Sequence, residues 1–149
     1  MSFIKIWIHA VWATKNREQL LSRELRKKLF DHIRANAKEK NIYIDCINGY
    51  DDHVHCLLSL NADQPISKTI QLIKGESSFW INKNQLCRSN FEWQDDYFAA
   101  SVSDSDLGRI RNYIRNQEQH HQNKTFIQEW EQLMIRYKMR WRRLLDSPP

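Results

Sequence analysis

Two histidines stand one residue apart in the segment DDHVHCLLSL. Because side chains two residues apart in a strand point the same way, His53 and His55 are predicted to share one face of a strand. The apolar residues between and after them would then face the other way. Two imidazoles held rigidly side by side suit a metal ion, since little side-chain freedom is lost on binding. Paired histidines are also common as ordinary polar surface, so a metal site needs a third ligand.

A tyrosine and a glutamine in the segment NYIRNQEQHH supply candidates for a nucleophile and for that third ligand. Tyr113 and Gln117 are four residues apart, so on a helix they lie one above the other on a single face. The carboxamide oxygen of Gln117 would complete the ligand set, and the hydroxyl of Tyr113 would point at whatever the metal binds. The alternative for this pair is surface packing.

The elements that must position these residues follow from hydrophobic periodicity and capping signals. Strands are predicted over residues 3–14, 42–49, 53–60 and 97–103, and helices from Ser22 to about Lys40, over 64–84, from Ser103 or Asp104 to about His121, and over 125–137. The order βαββαβ predicts an α+β, ferredoxin-like or RRM-like fold, with a four-stranded antiparallel sheet and two helices on one face. The C-terminal helices would carry Tyr113. We expect the other sheet face to be free for a ligand or partner.

Length and charge indicate a single basic domain. The chain has 149 residues, a formal net charge of +5 and a pI of about 9.2. Basic residues cluster in RIRNYIR and in RYKMRWRRLL. Such clustering favours an anionic partner, with nucleic acid as the leading candidate. A solvated basic helix face is the alternative.

Cysteine usage and hydropathy bear on the cellular compartment. Cys46, Cys56 and Cys87 are odd in number and widely spaced, which is typical of reduced thiols. The N-terminal segment lacks the continuous apolar stretch of a signal peptide, and no run approaches 18 apolar residues. We therefore expect a cytoplasmic protein that does not contact the membrane.

Five segments resemble, in order and spacing, the HUH-superfamily single-tyrosine transposases of small insertion sequences and their REP-associated relatives. They are HAVWATKNREQLL, HVH, IKGESS, FEWQDDYFAASVS and YIRNQEQHH. The resemblance implies one HUH transposase-like domain over residues 1–149, with His53, His55 and Gln117 binding Mg²⁺ or Mn²⁺ and Tyr113 as nucleophile. It implies cleavage and rejoining of single-stranded DNA through a 5′-phosphotyrosine link, without an organic cofactor.

The resemblance also implies partners. Members of that family cleave single-stranded DNA, often beside a hairpin, and work as dimers in which the tyrosine helix of one chain commonly faces the histidine pair of the other. Beside the C-terminal basic stretch, the residues that we predict to contact DNA are Lys5, Lys15, Arg17, Lys74, Arg109 and Arg115. Among the other histidines, His9 and His32 are predicted to be structural, and His120 and His121 to be surface residues or phosphate contacts.

Three other interpretations stay open. A non-catalytic module that binds single-stranded nucleic acid would explain the charge and the aromatic residues, but not the alignment of His53, His55, Tyr113 and Gln117. A histidine phosphoesterase needs a nucleophilic histidine or a duplicated histidine motif, and one HxH occurs here. A domesticated protein that cleaves DNA without mobilising its own gene cannot be separated from an active transposase by sequence.

Overall fold

We describe residues 2–121 and 124–137 of the computed structural model. The strands are β1 (Trp7–Ala13), β2 (Tyr43–Tyr50), β3 (His53–Ser59) and β4 (Phe98–Val102). The helices are α1 (Arg23–Glu39), α2 (Ile66–Lys83), α3 (Leu107–Arg115), α4 (Gln117–His120) and α5 (Phe126–Arg136). Within these ranges, no helix is both long and apolar enough to cross a bilayer.

The four strands form one antiparallel sheet in the order β2-β3-β1-β4. Strands β2 and β3 are a hairpin, whereas α1 links β1 to β2 and α2 links β3 to β4. The predicted α+β fold with a four-stranded antiparallel sheet is confirmed. Strand β3, which carries the histidine pair, lies in the interior of the sheet between β2 and β1.

Helices α1 and α2 pack on one face of the sheet and form the main core. Helix α1 begins where predicted, because the Ser22 side chain accepts a hydrogen bond from the backbone N–H of Leu25. Its buried stripe includes Leu29 and Ile33, which join Trp12 of β1 and the apolar face of β3 in one cluster. Burial of this apolar surface is the main favourable term in folding.

Helices α3 and α5 cover the second face of the sheet, so the prediction that this face is free is wrong. One cluster there joins α3 to the sheet through Leu107, Ile110, Ile114, Cys46, Leu57 and Val102. Another joins α5 to the sheet through Phe126, Leu133, Val11, Ala13, Phe98 and Ala100. Around the histidines this face is apolar, and leaving it open would expose a large hydrophobic patch to water.

Two element boundaries differ from the prediction. Strand β1 begins at Trp7, not at residue 3, and Phe3 is 90% exposed. The helix predicted to run to about His121 is interrupted at Asn116, between α3 and α4. At this point the side-chain amide of Asn48 in β2 donates hydrogen bonds to the backbone carbonyls of residues 114 and 115.

Gly49 in β2 is required by the close approach of β3. A Cβ atom at this position would lie 2.2 Å from the carbonyl oxygen of His53. We expect Gly49→Ala to lower the free energy of unfolding by about 1–3 kcal/mol, because backbone atoms must move to admit the methyl group. Urea denaturation measures this change. Gly75→Ala is the matched control, since a Cβ at this exposed helical position meets nothing within 4 Å and should gain up to about 1 kcal/mol. Equal stability of the two variants would contradict the steric argument.

Candidate active site

His53 and His55 lie on the face of β3 that the C-terminal helices cover. Both are fully buried, and their ring centroids are 5.2 Å apart with the planes at 74°. The alternation along β3 predicted that they share a face, and they do. They are not a polar surface pair, however, because helix α5 lies over them and its Glu129 contacts the Nε2 atoms of both rings.

Gln117 and Glu129 bring two oxygens to these imidazoles. The Oε1 atom of Gln117 lies 3.2 Å from His53 Nε2, so the predicted third ligand joins the predicted pair. The Oε1 atom of Glu129 lies 2.5 Å from His55 Nε2 and 3.2 Å from His53 Nε2. The ligand atoms of His53, His55 and Glu129 all lie within 4.8 Å of one another. Two nitrogens and two oxygens therefore form one buried cluster, a donor set that suits Mn²⁺ and can also accept Mg²⁺.

The acceptor atoms that face one another in this cluster favour a positive charge among them. The carboxylate of Asp52 lies 2.8 Å from His53 Nδ1, so this nitrogen carries a proton and Nε2 is the acceptor of the neutral ring. Neutral His53 would then face the carbonyl of Gln117 and the carboxylate of Glu129 with its lone pair. Such a buried group of acceptors is repulsive unless a cation or a proton lies among them. A divalent cation fits these residues.

Burial and neighbouring charges act in opposite directions on the pKa values of His53, His55 and Glu129. Burial lowers the pKa of His53, but hydrogen bonds to Asp52 and Glu129 outweigh it and raise that pKa to about 9. At His55 burial dominates over the attraction of Glu129, and the pKa is lowered to about 4. Burial alone would raise the pKa of Glu129, but three facing histidines hold it well below its usual range. Glu129 is therefore a carboxylate.

Tyr113 lies beside the cluster in the same chain. Its ring meets that of His55 edge-on with 5.5 Å between centroids, and that of His120 with 5.0 Å between centroids. Burial, and then the charge of Glu129, raises the pKa of Tyr113, whereas the guanidinium of Arg136, 5.5 Å from the ring centroid, acts in the opposite direction. The structure thus brings the predicted nucleophile and the three predicted ligands together.

A bulge in β2 and a set of ion pairs fix the helices that carry the tyrosine and the amide ligand. Asp45 is the extra residue at the bulge, and its carboxylate accepts two hydrogen bonds of 2.8 Å from Arg111 of α3. Glu118 of α4 accepts hydrogen bonds of 2.7 Å from Arg23 and 2.9 Å from Arg26 in α1. These contacts tie α3 to the sheet and α4 to α1.

His121 is not the surface residue or phosphate contact that the sequence predicts. It is buried, with Nε2 2.7 Å from Glu129 Oε2 and Nδ1 2.8 Å from the carbonyl oxygen of Lys124. The reason is that α4 ends over the sheet, where the His121 ring stacks on Tyr50 with 5.2 Å between centroids. His120 is half-buried, 3.5 Å from the same carboxylate oxygen.

The basic residues predicted to contact DNA differ in how far they are engaged within the protein. Arg17 and Arg115 are exposed and form no ion pair with residues 2–121 or 124–137. Lys74 is half-buried and donates to the backbone carbonyls of Gln94 and Asp95. Three others form ion pairs of 2.7–3.1 Å, namely Lys5 with Asp104, Lys15 with Glu92, and Arg109 with Asp106. In the predicted C-terminal basic stretch, Lys138, Arg140, Arg142 and Arg143 lie outside the described residues.

Glu129 is the site residue that the sequence analysis missed. Thr125 begins α5 with a capping box that also uses Gln128, and this start sets which residues share a face. Glu129 then falls on the same stripe as Phe126 and Leu133, and all three are buried. A charged residue inside the apolar stripe of an amphipathic helix signals a buried charge with partners. That signal was present in the sequence.

The sequence of this chain is similar to the sequences of known transposases. The profile of the family described as "Transposase IS200 like" matches residues 2–117. The ISDra2 transposase TnpA of Deinococcus radiodurans is 30% identical over 115 residues, which cover 73% of this chain and 81% of that protein. The transposase for insertion sequence element IS200 of Salmonella typhimurium is 26% identical over 114 residues, covering 73% of this chain and 74% of that protein. The profile match ends before α5, so Glu129 lies outside it.

Solved structures share the fold. A crystal structure of a Deinococcus radiodurans protein assigned as a transposase aligns with a TM-score of 0.63 at 26% identity, covering 78% of this chain and 93% of that chain. A REP-associated tyrosine transposase bound to a REP hairpin aligns with a TM-score of 0.59 at 21% identity, covering 81% of this chain and 72% of that chain.

Proposed function

Because the chain belongs to the IS200-like transposase family, we propose that it cleaves and rejoins single-stranded DNA with Tyr113 as its nucleophile. One observation carries the proposal: the phenol ring lies 5.5 Å from the ring of His55, at the edge of a buried cluster of ligand atoms. The Tyr113 helix and the histidine strand come from the same chain. This proximity supports action of Tyr113 on the cation site of its own chain.

We assign His53, His55, Gln117 and Glu129 to a divalent cation, Mg²⁺ or Mn²⁺. Imidazole ligands favour Mn²⁺, because Mg²⁺ prefers oxygen and retains several waters. A bound cation would place positive charge at the phosphoryl oxygen, stabilise the leaving 3′ oxygen and lower the pKa of the adjacent phenol. No step of this reaction requires an organic cofactor.

Tyr113 supplies the oxygen that attacks the phosphodiester. A bond forms between its Oη and phosphorus while the bond from phosphorus to the 3′ oxygen breaks, and the proton lost by the phenol balances the proton gained by the 3′ oxygen. The products are a 5′-phosphotyrosine and a free 3′-hydroxyl. Because phenolate is a good leaving group, the 3′-hydroxyl of another strand can reverse the step and join two DNA ends without ATP. Burial raises the pKa of Tyr113, which keeps the phenol protonated until substrate is bound.

Hairpin-containing single-stranded DNA is the substrate that we propose. The REP-associated relative was solved with a REP hairpin, and this chain offers a groove of about 760 Å³ beside α5. Arg17, Trp130 and Met134 are among its lining residues. A guanidinium and an indole in one groove can hold a backbone phosphate and the face of an unpaired base.

Two further parts of the proposal concern assembly and location. We propose a homodimer, as the resemblance implies, and light scattering after size-exclusion chromatography measures its mass. We also place the protein in the cytoplasm, where the free thiols of Cys46, Cys56 and Cys87 would stay reduced. Fluorescence microscopy of a tagged chain tests that location.

A covalent-capture assay tests the proposed reaction. The protein is incubated with labelled single-stranded DNA from the flanks of its own gene, in Mn²⁺ or Mg²⁺, and separated in denaturing detergent. We expect a labelled protein–DNA adduct that EDTA abolishes, because the four assigned ligands hold the cation that the step requires. DNA binding without an adduct in either metal would support the non-catalytic module instead.

A further inference from the structure

His9 lies in β1 directly beneath the ligand cluster and has no place in the reaction described above. It is fully buried. Its Nε2 atom lies 2.9 Å from His55 Nδ1, and its Nδ1 atom lies 3.1 Å from the hydroxyl oxygen of Tyr137. We propose that His9 is a positioning residue that lets His55 change between its two neutral tautomers, one of which binds the cation. This inference rests on the proposed metal site.

The geometry of the sheet makes this contact more than incidental. His9 pairs across the ladder with Leu57, so His55, two residues earlier on β3, is its diagonal neighbour on the same face. The two imidazoles are stacked, with 5.2 Å between centroids and 28° between planes. Phe98 and Tyr137 meet the His9 ring edge-on at 6.1 and 6.0 Å. The ring of His9 is therefore held in place from several sides.

Binding of a cation determines which nitrogen of His55, and in turn which nitrogen of His9, carries the proton in the hydrogen-bonded series His55–His9–Tyr137. If Nε2 of His55 offers its lone pair to a cation, the neutral ring carries its proton on Nδ1. That N–H is fully buried, and the acceptor in contact with it is Nε2 of His9. His9 must then carry its own proton on Nδ1, where it donates to the hydroxyl oxygen of Tyr137. A ligating histidine whose second nitrogen is bound in this way is held in both tautomer and orientation.

Without a cation, the hydrogen bond from His55 to Glu129 requires the opposite placement of these protons, on Nε2 of both His55 and His9. His55 Nε2 lies 2.5 Å from Glu129 Oε1, and a neutral ring makes this hydrogen bond with its proton on Nε2. Nδ1 of His55 then accepts from Nε2–H of His9, and Nδ1 of His9 accepts from the hydroxyl of Tyr137. In passing to the other order, His55 loses its Nε2 proton to solvent. His9 transfers its Nε2 proton to Nδ1 of His55, and Tyr137 transfers its hydroxyl proton to Nδ1 of His9. Tyr137 then regains a proton from solvent. Every hydrogen bond between the three residues is kept in both orders.

The support given to His53 is of a different kind. Its Nδ1 donates to the carboxylate of Asp52, which is acceptor-only when ionised and therefore holds a single tautomer. His9 is an imidazole, which can donate or accept at either nitrogen. The hydrogen bond to Asp52 thus fixes the tautomer of His53, whereas the hydrogen bond with His9 is compatible with either tautomer of His55.

Two substitutions at His9 separate this role from packing. His9→Gln keeps a side chain that can accept from or donate to His55, whereas His9→Leu fills space without a polar atom. We expect His9→Leu to weaken Mn²⁺ binding about 10–100-fold, the usual cost of removing such a partner, and His9→Gln to restore the affinity to within about threefold of the unsubstituted protein. Electron paramagnetic resonance of free Mn²⁺ measures both constants. The same two substitutions at His32, which stacks on Trp80 and bonds to Glu76, are the control and should leave Mn²⁺ affinity unchanged.

The outcomes distinguish this inference from the proposed function. If the unsubstituted protein binds no Mn²⁺, the proposed metal site is wrong. If it binds Mn²⁺ and both His9 variants bind equally well, or both lose affinity equally, the positioning role is wrong while the metal site stands. A measurement on the unsubstituted protein remains decisive even where His9→Leu fails to fold. In nitrogen-15 spectra of histidine-labelled protein, His55 should pass from the Nε2–H to the Nδ1–H tautomer when Mg²⁺ is added, and an unchanged tautomer would overturn the inference.

Discussion

Replacing Tyr113 by Phe should abolish covalent capture of DNA, with adduct formation falling at least about 10³-fold, because the attacking oxygen is removed. The phenyl ring keeps the edge-on contacts with His55 and His120, so the loss reports on the hydroxyl. Stability should change by no more than about 1 kcal/mol, since one hydrogen-bonding group is lost from a half-buried position. Binding of single-stranded DNA, measured by fluorescence anisotropy, should stay within about twofold.

Tyr43→Phe is the matched control for this substitution. Tyr43 is 60% exposed at the far end of β2, and its loss of a hydroxyl should leave the adduct yield unchanged. An adduct that persists in Tyr113→Phe would show that another side chain attacks the phosphodiester. Equal loss in both variants would point to a general effect on DNA binding.

Mixing two inactive variants asks whether the tyrosine acts within its own chain. Chains carrying Tyr113→Phe, mixed with chains carrying His55→Gln, should remain inactive, because each tyrosine lies beside the histidines of its own chain. Recovery of the adduct would instead show that copies of the protein exchange their tyrosine helices.

Replacing Glu129 by Gln should raise the apparent Kd for Mn²⁺ at least about 100-fold, because losing a charged ligand costs at least as much as the 10–100-fold lost when only a partner of a ligand is removed. The substitution preserves shape but deletes the carboxylate that contacts both histidine ligands. Adduct formation should consequently require a correspondingly higher Mn²⁺ concentration. Isothermal titration with Mn²⁺ and the capture assay at graded Mn²⁺ concentrations measure the two effects.

Glu131→Gln, two residues along α5 and exposed, is the control for the loss of one negative charge. Its Mn²⁺ affinity should not change. If Glu129→Gln binds Mn²⁺ as tightly as the control does, Glu129 is not a ligand and its contacts serve only to neutralise the buried histidines.

Patterns within single elements predicted much of the site. The alternation along β3 placed His53 and His55 on one face, and the four-residue spacing of Tyr113 and Gln117 placed both at the cluster although their helix is broken between them. What the sequence did not predict depends on contacts between distant elements. The cover of α5 over the sheet arises from packing between distant elements, and although the position of Glu129 on the apolar stripe of α5 indicated a buried charge, that stripe did not show that its partners are His53 and His55.

The helix break and the bulge illustrate the same limit. A helix can be extended through Asn116 by periodicity alone, and its interruption reflects hydrogen bonds from Asn48 on another strand. The bulge at Asp45 is visible only when two strands are counted against each other. Both features serve to hold α3 and α4 against the sheet, so they are properties of the assembled layers.

The short connection between β2 and β3 restricts how chain length could vary during evolution. Residues 51 and 52 join strands whose ladder runs without a break from Tyr50 and His53 to Cys46 and Leu57. An insertion that displaced β3 by one position would turn both imidazoles toward α1 and α2 and would place Val54 and Cys56 on the face that Gln117 and Glu129 occupy. Extra residues are tolerated where they lengthen a loop without moving this register, as in the irregular segments around α2. The register of β3 against β2 and the face on which His53 and His55 lie therefore cannot change independently of each other.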